Sequence, residues 1–205
     1  MPTRIQLKFL STALNSELLL SPFQFETGWH VLTGAPCSGK TTLVDLLTAR
    51  GFMTVPEIAR QAYDREIAKG RTIAEIHQDI RNFQRGIADL QLSCEQDLDP
   101  DDTAFLDRAF PDSLTFFRIF GLNPNEILPK CFQYHYDSVF ILDRLPFERD
   151  RQLGPEDDAS ARFVDEWLER DYRALNYQVV RVPVLPPEER LAFLLERIAK
   201  KGDSW

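Results

Sequence analysis

The pattern of apolar and polar positions changes once along the chain, near Gly28. Before it, Ile5, Leu7 and Phe9 alternate with Arg4, Gln6 and Lys8, and Phe23 and Phe25 alternate again. A period of two is that of a half-buried strand. It predicts two short strands in residues 1–27, an antiparallel extension at a sheet edge, with a loosely ordered tail as the other reading. From Trp29 onward, short apolar runs alternate with helical patterns. Runs at 29–33, 52–55, 103–106, 138–142 and 177–184 read as strands. Helices are expected over 39–50, where Gly51 suits the left-handed position after a helix, and from Pro56-Glu57 to Gly70. Two more are expected over 159–175, with Phe163, Trp167 and Tyr172 near one face, and from Pro186-Pro187 onward. Asn123-Pro124 with Glu126 reads as a further helix start.

Thr72-Ile-Ala-Glu75 is a capping-box pattern. After it, Ile73, Ile76, Ile80, Phe83, Ile87, Leu90 and Cys94 recur at steps of three and four, one apolar stripe on a long helix. The stripe suits packing on a sheet, and its heptad-like spacing would also serve a homodimer seam. Five strands alternating with helices predict an α/β layer fold with a mostly parallel sheet, in one domain over residues 28–205.

Composition narrows the function. The chain has 205 residues and a formal charge of −8, which argues against general nucleic-acid binding and against a nucleic-acid end kinase. Cys37, Cys94 and Cys131 are odd in number and form no CxxC, so neither a disulfide framework nor a zinc site is expected. His30, His77 and His135 share no spacing with carboxylates or cysteines and are given no metal or catalytic role. No run of apolar residues is long enough to span a membrane. These features together read as a cytoplasmic protein.

One motif carries chemistry. Gly34-Ala35-Pro36-Cys37-Ser38-Gly39-Lys40-Thr41 matches G-x-x-x-x-G-K-[ST] at every fixed position, between an apolar run and a helix start. By average composition such a match arises by chance in about one per cent of chains this long. The glycines permit a tight turn, and successive N–H groups at a helix N-terminus hold phosphate. Residues 34–42, Thr42 included, are therefore the nucleotide-binding loop. Lys40 would reach the β and γ phosphates and Thr41 would ligate Mg²⁺. A second magnesium anchor is expected at a strand end. Asp107 and Asp143 both qualify, each followed by Arg. Asp107 is preferred, because the third strand neighbours the first in small P-loop kinases. Arg108 would then face the transferred phosphate. Arg144, Arg149 and Arg151 lie in a charged, Gly- and Pro-containing stretch, 146–158, that reads as a mobile lid closing over the phosphates. Salt-bridging Asp143 and solvating the loop charges are the plain readings beside these. Glu57 and Arg60 follow the second strand, where a ligand-binding edge would place them on an acceptor. No Asn-Lys-x-Asp guanine signature is present, which favours ATP, with GTP as the alternative. Residues 184–187, after the last strand, are the candidate base contact.

The stretches GAPCSGKTTLVDLL, RGFMTVPEIAR and FLDRAFPDSLTF resemble the NadR-like ATPase/kinase family, which includes the nicotinamide riboside kinase domain of NadR. The similarity covers about residues 28–200. It rests on the P-loop, on Glu57…Arg60 after strand two and on Asp107-Arg108…Asp112 after strand three. The resemblance implies a P-loop NTPase three-layer sandwich with a five-stranded sheet of order 2-3-1-4-5 and helices on both faces. It implies Mg-dependent ATP or GTP use, and it adds Asp112 to the substrate-binding set of Glu57, Arg60 and Arg108. Two function classes follow. One is a small-molecule kinase acting on a nucleoside- or nucleotide-like acceptor. The other is a nucleotide-dependent switch that hydrolyses slowly and signals through a protein partner.

Overall fold

The computed structural model describes residues 10–146 and 155–202, with side chains at 10–146 and 159–200. Its elements in chain order are β1 (Phe25–Glu26), β2 (Trp29–Thr33), α1 (Lys40–Ala49), β3 (Met53–Val55), α2 (Ile58–Ala68), α3 (Ile73–Gln78) and α4 (Ile80–Gln96). After these come β4 (Ala104–Asp107), α5 (Asp112–Ile119), β5 (Tyr134–His135), β6 (Ser138–Leu142), α6 (Pro155–Ala174), β7 (Val179–Val182) and α7 (Pro187–Gly202).

The main sheet has the order β3-β4-β2-β6-β7 and every pairing is parallel. In terms of its own five strands this is the order 2-3-1-4-5. The central strand β2 is buried at all five positions, as a strand covered on both faces must be. Its side chains alternate between two cores. Trp29 and Val31 join Leu106, Val139, Leu114, Phe117, Val164 and Leu168 under α4, α5 and α6. Leu32 joins Phe105, Phe140, Leu43, Leu47, Leu191 and Leu194 under α1 and α7. Each such leucine contributes about 1.5–3 kcal/mol by leaving water. The parallel register puts the C-terminal ends of β2, β4 and β6 side by side, and the functional loops leave from those ends.

Four expectations need correction. The stripe from Ile73 to Cys94 is not one helix. Asp79 (φ −121°, ψ 39°) breaks it into α3 and α4. The Thr72 capping box is present and starts the short α3. Ile76 and Ile87 are buried while Ile73 and Leu90 are exposed, and the rest of α4's buried face is Gln84, Ala88, Gln91 and Glu95. A dimer seam across both helices would have to bend at Asp79. Second, α5 has no counterpart in the sequence pattern, because all but one of its eight residues are buried and no amphipathic period survives. Third, Asn123-Pro124 opens only a 3-10 turn (Pro124–Glu126), capped by the Asn123 side chain. Fourth, α6 begins at Pro155 rather than 159. Pro at the first turn followed by Glu156, Asp157 and Asp158 is a favourable start, which a reading of these charges as loop overlooks.

The N-terminal segment is not an antiparallel edge extension. Phe25–Glu26 pairs in parallel with Tyr134–His135, in a two-stranded sheet separate from the main one. The expected strand at residues 5–9 lies outside the described residues. Residues 10–24 run as a strap held by backbone groups. The Leu10 N–H donates to the Arg118 carbonyl (3.0 Å) and the Gln24 N–H to the Phe132 carbonyl (2.9 Å). Leu14, Leu18, Leu19 and Phe23 pack on the core beneath α5 and α6. The Arg118 guanidinium donates to the Thr12 carbonyl and to both oxygens of Asp171 (2.8 and 3.1 Å), and it lies 4.1 Å over the Trp167 ring. Both partners of this ion pair are buried. Removing one leaves a buried, uncompensated charge. Asp171→Ala is therefore expected to lose about 3–5 kcal/mol of stability in denaturant unfolding. A loss below about 1 kcal/mol, the range of exposed pairs, would contradict this assignment.

Candidate active site

The P-loop sits between β2 and α1. Gly34 has φ +146°, Cys37 φ +61° and Gly39 φ +83°. A Cβ on Gly34 would lie 2.8 Å from the Leu142 carbonyl oxygen, so this position admits only glycine on steric grounds as well. Gly39 is the N-cap of α1, and the positive end of that helix opens into a cavity of about 920 Å³ lined by Pro36 to Thr42. Lys40 is 8 % exposed, and its Nζ donates to the carbonyls of Gly34 (3.1 Å) and Ala35 (3.4 Å). Burial, with the Arg108 charge beside it, lowers the Lys40 pKa to about 8. A buried cation with a second cation near it is short of negative charge, which a polyphosphate supplies.

Arg190, at the start of α7, holds the loop from behind. Its guanidinium donates to the carbonyls of Ser38 (2.5 Å), Asp143 (2.8 Å) and Pro183 (2.8 Å). It thereby ties the P-loop to the ends of β6 and β7, at the residue before the 184–187 stretch expected to meet the base. Sequence reasoning missed Arg190, since a lone Arg in a first helical turn looks like surface.

The acids at the strand ends separate clearly. Asp143 is one-third exposed and pairs with Arg181 on β7, which also binds Asp165 and Glu169. That is a strand-end salt bridge. Asp107 ends β4, next to the P-loop strand, and is 5 % exposed. Its Oδ1 is buried with no hydrogen-bond partner among the described residues. Burial raises its pKa to about 6, against the pull of Lys40. Such an orphaned oxygen suits a magnesium-bound water. Thr41, at the exposed start of α1, lines the P-loop cavity. These residues fit the ion. No group of three or more His, Cys, Asp and Glu among the described residues is arranged to hold a metal by itself.

Arg108 follows in a left-handed conformation (φ +72°), rare for a non-glycine and a mark of a constrained site. Its guanidinium donates to Glu57 (2.7 Å), Asp112 (3.2 Å) and Thr33 (3.4 Å), 4.9 Å from the Phe116 ring centre. Asp112 is buried and accepts from Thr33, Arg108, the Ala109 N–H (3.1 Å) and the Tyr172 hydroxyl (2.6 Å). Expected among substrate-binding residues, it lines the second cavity with its oxygens already committed to holding Arg108. Burial would raise the Glu57 carboxyl, but Arg108, then Lys40 and Arg60, hold it below the ordinary range.

That second cavity, of about 600 Å³, opens beside the P-loop. Glu57, Arg60, Arg108 and Arg144 line both cavities. Tyr63, Gln84, Ile87, Gln91, Phe116 and Phe120 line only the second. Arg149 and Arg151 lie outside the described residues. No described helix is long and apolar enough to cross a membrane.

A strand, a Gly-rich loop that turns through left-handed backbone, and a helix with its buried lysine define the P-loop NTPase class. Comparisons agree. A family model described as an AAA domain (AAA_28) matches residues 29–190, and the chain belongs to that family. No curated protein matches the sequence. Deoxyadenosine kinase from M. mycoides, solved with dCMP and dCDP, is similar at TM-score 0.59 and 12 % identity, over 84 % of this chain and 98 % of that one. Shikimate kinase from Acinetobacter baumannii, in complex with shikimate, is similar at TM-score 0.51 and 16 % identity, over 91 % and 98 %. NadR in complex with NR is similar at TM-score 0.55 and 19 % identity, over 76 % of this chain but 45 % of NadR. These identities show a shared fold.

Two predictions follow from the geometry. Lys40→Ala is expected to abolish tight nucleotide binding, read by titration calorimetry with an ATP analogue; unchanged affinity would remove the P-loop assignment. The second concerns Glu95, fully buried against the loop that follows β4. It accepts from Gln91 (2.9 Å), the Phe110 N–H (2.8 Å) and Tyr136 (2.7 Å). Burial raises its pKa from 4.5 to about 7. A raised carboxyl pKa means the folded state binds a proton the unfolded state has released. Glu95 is thus expected to lower stability as pH rises from about 4.5 to about 7, and the fall is expected to be shallower in Glu95→Gln. Thermal melts across that range check it, and parallel slopes in both proteins would refute it.

Proposed function

We propose that the protein is a magnesium-dependent small-molecule kinase that transfers the γ-phosphate of ATP to a hydroxyl or phosphate acceptor. The observation that carries this is the pair of cavities joined at Glu57, Arg60, Arg108 and Arg144. A nucleotide switch needs the first cavity only. An acceptor-sized, mostly non-polar second chamber meeting the phosphate site at a carboxylate and three guanidinium groups is what phosphoryl transfer to a bound small molecule requires.

In this reading the P-loop amides and Lys40 hold the β and γ phosphates. Thr41 and, through a water, Asp107 would hold magnesium, which would supply neutralisation of phosphate charge. The acceptor hydroxyl lies against Glu57, which is ionised at neutral pH and takes the hydroxyl proton as the oxygen–phosphorus bond forms and the β–γ bridge leaves with ADP. Arg108, Arg60 and Arg144 face the charge that spreads over the transferred oxygens. Arg149 and Arg151 are assigned to the same lid by sequence. Placing the chain in the NadR-like branch, with residues 1–27 as an addition to the kinase domain, belongs to this same proposal and is supported by the motifs and by the fold shared with NadR. Two carboxylates thus have two tasks, because Glu57 lines both cavities whereas Asp107 is enclosed behind the loop.

ADP formation from Mg·ATP, with and without pooled alcohols, nucleosides and nucleotides, tests the reading. A rate that rises with one pool is expected; a slow rate indifferent to every pool would favour the switch. With the active acceptor, Glu57→Gln is expected to lower kcat by about 10²–10⁴-fold. Asp107→Asn is expected to impair magnesium-dependent turnover, while Asp143→Asn leaves it near wild type. The reverse ranking of the two aspartates would overturn the assignment of the magnesium acid.

A further inference from the structure

The polar face of α4 points to what the second cavity recognises. Gln84 is 6 % exposed and lines that cavity. None of the described residues hydrogen-bonds its amide, and the amide atoms, unlike Asp107 Oδ1, are not sealed off from solvent. Gln91, two turns along the same helix face, shows the contrast. Its Nε2 donates to Glu95 (2.9 Å) and to the Arg108 carbonyl (3.5 Å), so its donors are spent within the protein. The amide of Gln84 is left to face the cavity with one donor side and one acceptor side.

The wall around it is largely aromatic and aliphatic. Tyr63 from α2, Phe116 from α5 and Phe120 just after it line it, with Ile87 one turn beyond Gln84. Every arginine of the cavity also lines the P-loop cavity, so no cation is confined to the apolar end. Of the two acids not shared, Asp112 is committed to four donors, and Asp64 would repel an anion. The far end therefore suits a neutral aromatic ring and mismatches a carboxylate.

We propose that Gln84 is the specificity-determining residue of the acceptor pocket. It reads the amide-type edge of a planar nucleobase-like ring, whose attached sugar places a hydroxyl or a phosphate against Glu57 and the shared arginines. This rests on the kinase reading and narrows it to acceptors of nucleoside chemistry.

The test measures ADP formation with cytidine, uridine, adenosine and guanosine, with their 5′-monophosphates, and with ribose and shikimate as acceptors lacking an aromatic ring. Wild type, Gln84→Leu and Gln84→Glu are compared, each checked for folding by its thermal midpoint. A nucleoside or a monophosphate is expected to be the best acceptor, and which of the two separates a hydroxyl acceptor from a phosphate acceptor. Gln84→Leu keeps the volume and removes the hydrogen bonds. It is expected to raise acceptor KM on the order of tenfold or more, with kcat less affected. Gln84→Glu, which loses the donor side, is expected to change the order of preference among the bases. The proposal falls, with the kinase reading intact, if ribose or shikimate serves as well as the best nucleoside or monophosphate. It also falls if both variants keep acceptor KM within about twofold of wild type. If no acceptor of any class accelerates ADP formation, the kinase reading falls and takes this one with it.

Discussion

The geometry of the site hangs on one buried carboxylate. Asp112 accepts hydrogen bonds from Thr33 at the end of β2, from Arg108 and Ala109 after β4, and from Tyr172 on α6. Those donors come from the strand that launches the P-loop, the strand that carries Asp107 and a helix that covers the sheet. A buried carboxylate is tolerable only when its lone pairs are filled, and here each donor that fills them is a part that must be positioned. Arg108 is the clearest case. Its backbone is held left-handed and its guanidinium is clamped between Asp112 and Glu57, so a side chain with many rotamers has one arrangement.

The second constraint is charge. The fold gathers Lys40, Arg60, Arg108 and Arg144 around the junction of the two cavities, with Glu57 and Asp107 among them. Burial lowers the Lys40 pKa to about 8 and raises that of Asp107 to about 6, so the charged form of each is less favoured than in water. Preorganised charge of this kind carries much of phosphoryl-transfer catalysis, because nothing has to reorient as the barrier is crossed. Arg190 adds rigidity from outside by fixing the Ser38 carbonyl to the ends of β6 and β7.

Helix α4 has a divided role. Its apolar stripe, the strongest periodic signal in the chain, is only half buried, whereas its buried side includes Gln84, Gln91 and Glu95. Glu95 holds the Phe110 N–H after β4, and Gln84 and Gln91 line the second cavity. The N-terminal strap bears on the opposite wall, reaching α5 through Arg118, whose carboxylate partner is on α6. Residues 10–12 thus hold α5, whose Phe116 and Ile119 line the second cavity.

The P-loop, the five strands and most helix ends were legible in the chain, because each rests on local chemistry. Glycine alone tolerates φ +146° beside the Leu142 carbonyl, and apolar runs of four or five residues between helical patterns have few other homes than a parallel sheet. The break at Asp79, helix α5 and the parallel β1–β5 pair were not legible, since burial from all sides or a distant partner decided them. The choice between Asp107 and Asp143 shows the division best. The chain writes both as Asp-Arg after an apolar strand, so sequence alone determined that a phosphate-binding loop and two candidate acids exist. Only strand order and the side chains brought against each acid decided that Arg181 neutralises Asp143, while Asp107 keeps an unfilled oxygen beside the P-loop. The environment of a charge is a property of neighbours remote in sequence.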